Sequence, residues 1–397
     1  MIYFDNSSTS PVDAEVLEAM LPYLKEEYGN PSSKYYLKAV NAAKAVENAR
    51  EQVAKLIGAN HDEIVFTSGS TESTNFIIKG YMDYRRYYKD GKNHIITSMV
   101  EHKATLNTCK YLSGELYSNN DPTISLFGDK KKVDRGYEVT FVETTNTGEI
   151  TVDSIEQAIK KNTALVSVIY VNNEVGTISD IKSIADVSKK HGLAIHSDIT
   201  QAIGKIDLNV HHMNLDYASC SAHKVYGPKG IGAAYLRADQ FGIEPITALL
   251  HGGEQENGLR AGTLAVHNIV GFGKAAEIAK RDLALNERRI KKLDRMLIEA
   301  INNSESLRLT NPSMNRLPGT ISVIVDKKNF NNERFIKRVS DKFAFSTGSA
   351  CSAGEPSYVI KALGLQEQVT KVIRITINKY TTEEDVTELI NFLSTEL

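Results

Sequence analysis

The feature that most constrains this chain is a repeated change of hydrophobic period. Val46, Ala49, Val53 and Leu56 recur at helical spacing, and Ile64-Val65-Phe66 then forms a short β-rich run ending in Thr67-Ser68-Gly69-Ser70-Thr71. Similar runs follow at 95–97, 139–142, 165–171, 193–196 and 233–236, with helical stretches such as 181–191 between them. Alternation of this kind over about 230 residues predicts an α/β fold with a mainly parallel sheet covered on both faces. Asp153 with Glu156, and Thr381 with Glu384, carry capping-box spacing at two helix starts. After Gly262 the character changes. A charge-rich helical stretch over 269–302 leads through Asn311-Pro312 and Leu317-Pro318-Gly319 to strands at 321–325 and 372–377 and a capped terminal helix. These divisions predict a large domain over 14–262 and a smaller α+β domain made of 1–13 plus 263–397, with a surface insertion at 113–136.

Composition narrows the function classes. The 397 residues carry 47 Lys plus Arg against 49 Asp plus Glu, a net charge of -2, so no overall basic field recommends nucleic acid. No apolar run approaches the roughly 18 residues that span a bilayer, and Met1-Ile2-Tyr3-Phe4-Asp5-Asn6 lacks the features of a signal peptide. Cys109, Cys220 and Cys351 form neither a disulfide framework nor a CxxC metal pair. The expectation is a cytoplasmic protein without direct nucleic-acid or membrane binding, whose function resides in its sites.

Sheets of this class bind ligands beyond the carboxyl ends of their strands, and the polar residues gather there. Ser68-Gly69-Ser70-Thr71-Glu72-Ser73 follows a strand and opens a helix, which aims amides, hydroxyls and the positive helix end at an anion such as phosphate; capping alone is the plainer reading. Asp198, in His196-Ser197-Asp198-Ile199-Thr200-Gln201, is a carboxylate placed where desolvation demands a cationic partner, such as a protonated heterocycle, unless it serves as a helix cap. Lys224 lies in Ser221-Ala222-His223-Lys224 before the turn Gly227-Pro228-Lys229-Gly230, and a lysine so held can form a Schiff base with an aldehyde cofactor, although taken alone it reads as a solvated surface charge.

In this order, the three blocks resemble the class V aminotransferase family of fold type I, and within it the cysteine desulfurases. Gly29-Asn30-Pro31-Ser32-Ser33, Glu101-His102-Lys103, Asn172-Asn173-Glu174-Val175-Gly176, Arg260-Ala261-Gly262-Thr263 and Ser346-Thr347-Gly348-Ser349-Ala350-Cys351 extend the likeness over nearly the whole chain. The resemblance implies pyridoxal phosphate bound by Lys224. It further implies Asp198 on the ring nitrogen, Gln201 on the phenolic oxygen and His102 stacked on the ring. Ser70, Thr71, Ser221 and His223 would hold the phosphate, with Thr263 arriving from the second subunit of a homodimer. Asn173 would face ring and substrate, Asn30 would lie on the substrate side, and Arg374 would clamp the substrate carboxylate; no metal is implied. Without the family, Arg374 reads as an edge-strand surface charge.

Cys351 sits in a small-residue stretch without hydrophobic period, which reads as an exposed loop, whereas Cys109 and Cys220 read as packed. The resemblance makes Cys351 the nucleophile that takes sulfur from L-cysteine as a persulfide, leaving L-alanine. The sulfur would pass to an acceptor or scaffold protein in iron-sulfur assembly, tRNA thiolation or DNA phosphorothioation. A selenocysteine lyase or another C–S lyase would use the same residues, and a non-catalytic scaffold would keep the fold. Lys34-Tyr35-Tyr36, where the family often has a histidine, and Glu254, where a glycine is common, depart from the pattern.

Overall fold

The computed structural model describes residues 1–115, 133–313, 315–348 and 356–397. Cys351, the Lys130-Lys131-Lys132 run and most of the expected insertion lie outside the described residues.

A short strand, β1 (Ile2–Tyr3), precedes helices α1 (Ala14–Lys25) and α2 (Leu37–Ile57). Seven strands then build the main sheet: β2 (Ile64–Thr67), β3 (His94–Ser98), β4 (Glu138–Val142), β5 (Thr163–Ile169), β6 (Ala194–Asp198), β7 (Tyr217–Ser221) and β8 (Gly232–Leu236), in spatial order β2-β8-β7-β6-β5-β3-β4. The run from β7 to β4 is parallel, as the alternation predicts. Only β8 runs against both its neighbours. Its connection from β7, residues 222–231, is too short for the crossover that a parallel neighbour needs.

Every residue of β5 and β6 is buried, as a sheet covered on both faces requires. Alternate side chains separate cleanly. Ile95 and Leu165 face Phe76, Ile77 and Tyr81 of α3 (Ser70–Tyr84) and Cys109 and Leu112 of α4 (Lys103–Leu112). Ile96, Val166 and Ile195 face the opposite layer, where α2 is joined by α5 (Val152–Ala158) and α6 (Ile181–Lys190). A small hairpin, β9 (Ala238–Asp239) with β10 (Gly242–Ile243), follows the sheet.

One helix of 37 residues, α7 (Val266–Asn302), then links two cores. Its first half, through Val266, Ile269 and Phe272, packs in the main cluster. A Cβ on Gly273 would lie 2.6 Å from Ala49 Cα, so a side chain there would push α7 off α2. Its second half contributes Leu293, Leu297 and Ile301 to another cluster with Phe4, Ile321 and Ile373. That cluster surrounds an antiparallel sheet of β11 (Leu307–Leu309), β12 (Thr320–Val325) and β14 (Val372–Thr376). Between these strands lie α8 (Asn332–Val339), β13 (Phe343–Ala344), which pairs with β1, and α9 (Tyr358–Ala362); α10 (Glu383–Glu396) follows β14. The change of core therefore falls within α7.

Neither capping box forms at its expected residues. Thr151, not Asp153, caps α5, its hydroxyl accepting from the Ser154 amide. At α10 the box is Thr382 with Asp385, one residue beyond Thr381 and Glu384, because Thr381 Oγ1 is taken by the Asn378 amide.

Candidate active site

The loops after β2, β3, β5, β6 and β7 open on one cavity of about 500 Å3, within the range of roughly 300–1,000 Å3 usual for small-molecule sites. The structure brings together there Ser70, Thr71, His102, Asn173, Asp198, Gln201, Ser221, His223, Lys224 and Arg374. Asn30 and Thr263 are exposed and outside this cavity within the chain, and Cys351 is outside the described residues.

One end is built by the start of α3. The Thr200 hydroxyl donates to Ser70 Oγ at 2.8 Å, which ties the loop after β6 to the first turn of α3. Gly232 is required behind it, because a Cβ there would lie 2.6 Å from Gly69 Cα. Two ion pairs pull the chain after β10 onto this end. Arg260 Nε donates to Glu72 Oε1 at 2.8 Å, and Arg50 forms a bidentate pair with Glu256 at 2.7 and 2.8 Å. Glu256 Oε2 also accepts from the Phe66 amide at 2.7 Å, fixing β2 and the loop that follows it.

Asp198 ends β6 and is buried; its Oδ1 accepts from the Thr200 amide at 2.9 Å. Gln201 donates to the Ser7 carbonyl at 3.0 Å and accepts from Lys205 Nζ at 3.0 Å. Desolvation, with Lys224 and Arg374 nearby, pushes the Lys205 amine down to about 7. Lys224 follows β7, and its Nζ donates to the carbonyls of Ser7 and Ser8 at 2.5 and 2.7 Å. His223 hydrogen-bonds Thr9 Oγ1 through Nδ1 at 3.1 Å, and burial together with Lys224 pushes it down to about 4. His102 caps α4, its Nδ1 accepting from the Ala104 amide at 3.2 Å, so the ring proton belongs on Nε2. Burial lowers the pKa of His102; Asp198 pulls it back up, while Lys224 and Lys103 push it further down.

Arg374 is not a surface charge. It lies in β14 with its side chain almost wholly enclosed, because the N-terminal segment and residue 346 close over that edge of the small sheet. Nη2 donates to Asp5 Oδ1 and Ser8 Oγ, each at 2.9 Å, and Nη1 to the carbonyls of Asn173 and Gly348 at 2.7 and 2.6 Å. Cys109 and Cys220 are buried, as expected.

With its two histidines held toward the neutral form, the lining carries Lys103, Lys224, Lys229 and Arg374 against Asp198 and Glu72. That surplus suits a ligand with anionic groups. Pyridoxal phosphate fits this donor set: a reactive amine in Lys224, a buried carboxylate for a ring cation in Asp198, a hydroxyl-rich helix start for phosphate, and the buried Asn173 Oδ1, which has no protein partner among the described residues. Sequence reasoning missed the wall formed by Ser7, Ser8 and Thr9, as well as Lys205 and Tyr358. The only signal for the wall was the unbroken polar run Asn6-Ser7-Ser8-Thr9-Ser10.

Comparison with known proteins gives the family. A family model, Aminotransferase class-V, matches residues 2–117 and 129–389. Cysteine desulfurase IscS of Methylococcus capsulatus is 39% identical over 401 residues, covering 99% of this chain and 91% of that protein. A solved NifS-like protein superposes with a TM-score of 0.85 at 34% identity, covering 99% of each chain. SspA, solved in complex with cysteine, gives 0.78 at 35% identity over 96% of this chain and all of that one.

Proposed function

Because this chain belongs to the class V aminotransferase family, as a cysteine desulfurase that depends on pyridoxal phosphate and acts on cysteine, we propose how its residues divide the work. The observation that carries the assignment is the convergence of Lys224, Asp198, the α3 start and Arg374 on one cavity. Bound there, pyridoxal phosphate supplies an electron sink that weakens bonds at Cα and Cβ of the amino acid.

Lys224 anchors the cofactor through Nζ, Asp198 pairs with its ring nitrogen, and Gln201 faces its phenolic oxygen. Ser70, Thr71, Ser221 and His223 hold the phosphate, joined by Thr263 of a second copy in a homodimer; Asn173 and His102 face the ring. Arg374 receives the substrate carboxylate, helped by an Nε that has no protein partner among the described residues. Lys224 Nζ and His102 Nε2 carry protons to and from the substrate carbons. Asn30, exposed within this chain, is assigned to the substrate side as well.

The sulfur step belongs to Cys351. Its thiolate attacks Sγ of cysteine, an S–S bond forms as Cβ–Sγ breaks, and the pair left on Cβ takes up a proton. The balance is L-cysteine plus Cys351 thiol giving L-alanine plus Cys351 persulfide, which then passes to an acceptor protein. The working compartment is the cytoplasm, in keeping with the absence, among the described residues, of a helix long and apolar enough to cross a membrane. The test is a pair of variants. Cys351→Ala keeps the visible cofactor band and loses alanine production, whereas Lys224→Ala loses the lysine-bound band itself. Alanine formed at the unaltered rate by Cys351→Ala would overturn the assignment.

A further inference from the structure

We propose that Glu174 is a positioning residue for sulfur transfer, its carboxyl group bonding one flank of the segment that carries Cys351 and backing the other, which Arg374 holds. The inference rests on the reading of Cys351 as sulfur acceptor. The backbone at Glu174 is immobilised first. Asn172 Oδ1 accepts from the amides of Glu174 and Val175 at 2.9 and 3.0 Å, while Asn172 Nδ2 donates to the Val100 carbonyl at 2.9 Å, next to the loop that bears His102.

The side chain is buried, and one oxygen meets both flanks. Oε2 accepts from Ser357 Oγ at 2.6 Å. Ser357 in turn caps α9, its Oγ accepting from the Ile360 amide at 3.1 Å. On the other flank is Gly348, with φ of 108°, where a Cβ would lie only 2.7 Å from the same Oε2. Glycine there lets the backbone lie against the carboxyl group. The Gly348 carbonyl also accepts from Arg374 Nη1, which donates to Asn173 as well. Residue 357 is thus held by a hydrogen bond to the carboxyl group and the backbone of residue 348 packs against it, while residues 173 and 348 are tied to the guanidinium assigned to the substrate. Nothing else in the mechanism uses this carboxyl group. Burial pushes it up against the pull of Ser357, Arg374 and Lys103, so its role as hydrogen-bond acceptor does not depend on full ionisation.

The experiment uses the holoenzyme and measures single-turnover persulfide on Cys351 by mass, beside the cofactor band and the KM for cysteine. Glu174→Ala is expected to slow persulfide formation by about 10- to 100-fold, the cost of a misplaced reacting group, with cofactor band and KM unchanged. Glu174→Gln, which keeps an acceptor oxygen for Ser357, is expected within about threefold of the parent, and Ser357→Ala added to Glu174→Ala to bring no further loss. Undiminished persulfide formation in Glu174→Ala, loss of cofactor band or KM in step with rate, or a glutamine variant as slow as the alanine one overturns the proposal. Cys351→Ala separates the two readings. If it is inactive while Glu174→Ala is unimpaired, only the Glu174 proposal falls; if it is active, both fall.

Discussion

His102 combines two jobs that substitution can separate. Its Nδ1 caps α4 by accepting from the Ala104 amide, and its Nε2 faces the cavity with the ring proton. Asparagine can replace the cap with its side-chain oxygen but has no titrating nitrogen; alanine replaces neither. His102→Asn should therefore leave stability near that of the parent while lowering turnover by about 10²- to 10⁴-fold, the usual contribution of a positioned acid or base, or about 2.7–5.4 kcal/mol of barrier. His102→Ala should lose the same turnover and about 1 kcal/mol of stability besides. Because burial holds the pKa of His102 below its ordinary value, the acid limb that this group gives to turnover in the parent should be centred below pH 6.5. The assay is alanine production from cysteine over a pH series, with urea midpoints for the three proteins. Asparagine turnover within about fivefold of the parent, or equal stability of the asparagine and alanine variants, would refute the division.

Two further outcomes concern stability. Glu256→Ala removes the carboxylate that holds Arg50 twice and the Phe66 amide once, and should cost about 3 kcal/mol, near the low end for a broken buried pair, because Arg50 keeps the Ile64 carbonyl and Glu47. Urea unfolding checks this, and a loss under about 1 kcal/mol would contradict it. Burial pushes the Glu101 carboxyl up to about 8, although Ser98 and the Ile169 amide pull it down. The folded chain thus holds a proton there that the unfolded chain releases near pH 4.3, so its stabilising contribution is complete below that value and is lost as pH rises through about 8. Glu101→Gln should flatten this decline, measured as unfolding midpoints at pH 5.5 and 8.5; equal slopes in the two proteins would count against it.

The elements whose signals are local were legible in the sequence. The short runs beginning at Ile64, Ile95, Leu165 and Ala233 are strands because β-rich residues there alternate with helical periods, and the polar loops beyond them carry the site. What local pattern did not reveal depends on distant partners. An arginine inside an apolar run fits a surface edge or a buried clamp equally well, and residue 374 is decided by Asp5 and Ser8, whose contacts with it span 369 and 366 residues. Glu256 reads as a loop acid until it meets Arg50, 206 positions earlier. The reversal of β8 follows from the length of one connection, a quantity visible in the sequence once β7 and β8 are both identified. The caps fell one or two residues from their expected places because neighbouring residues of capping type differ in which amide they meet: Thr151 takes that of Ser154, while Thr381 is occupied by that of Asn378 and leaves Asp385 to Thr382.

The wall formed by the first residues has a consequence for how the enzyme is made. Ser7 accepts from Lys224 and Gln201 through its carbonyl, and its own amide donates to Thr376 Oγ1 at 3.0 Å across 369 residues. On the ribosome, the segments bearing Ser70, His102, Asp198 and Lys224 therefore emerge and can pair long before the strand that seats Ser7 exists. The seating of Ser7 is therefore a contact of high sequence separation, whose loop-closure entropy must be met before the contact rewards it. Completion of this side of the site consequently depends on a contact that joins residues 369 positions apart.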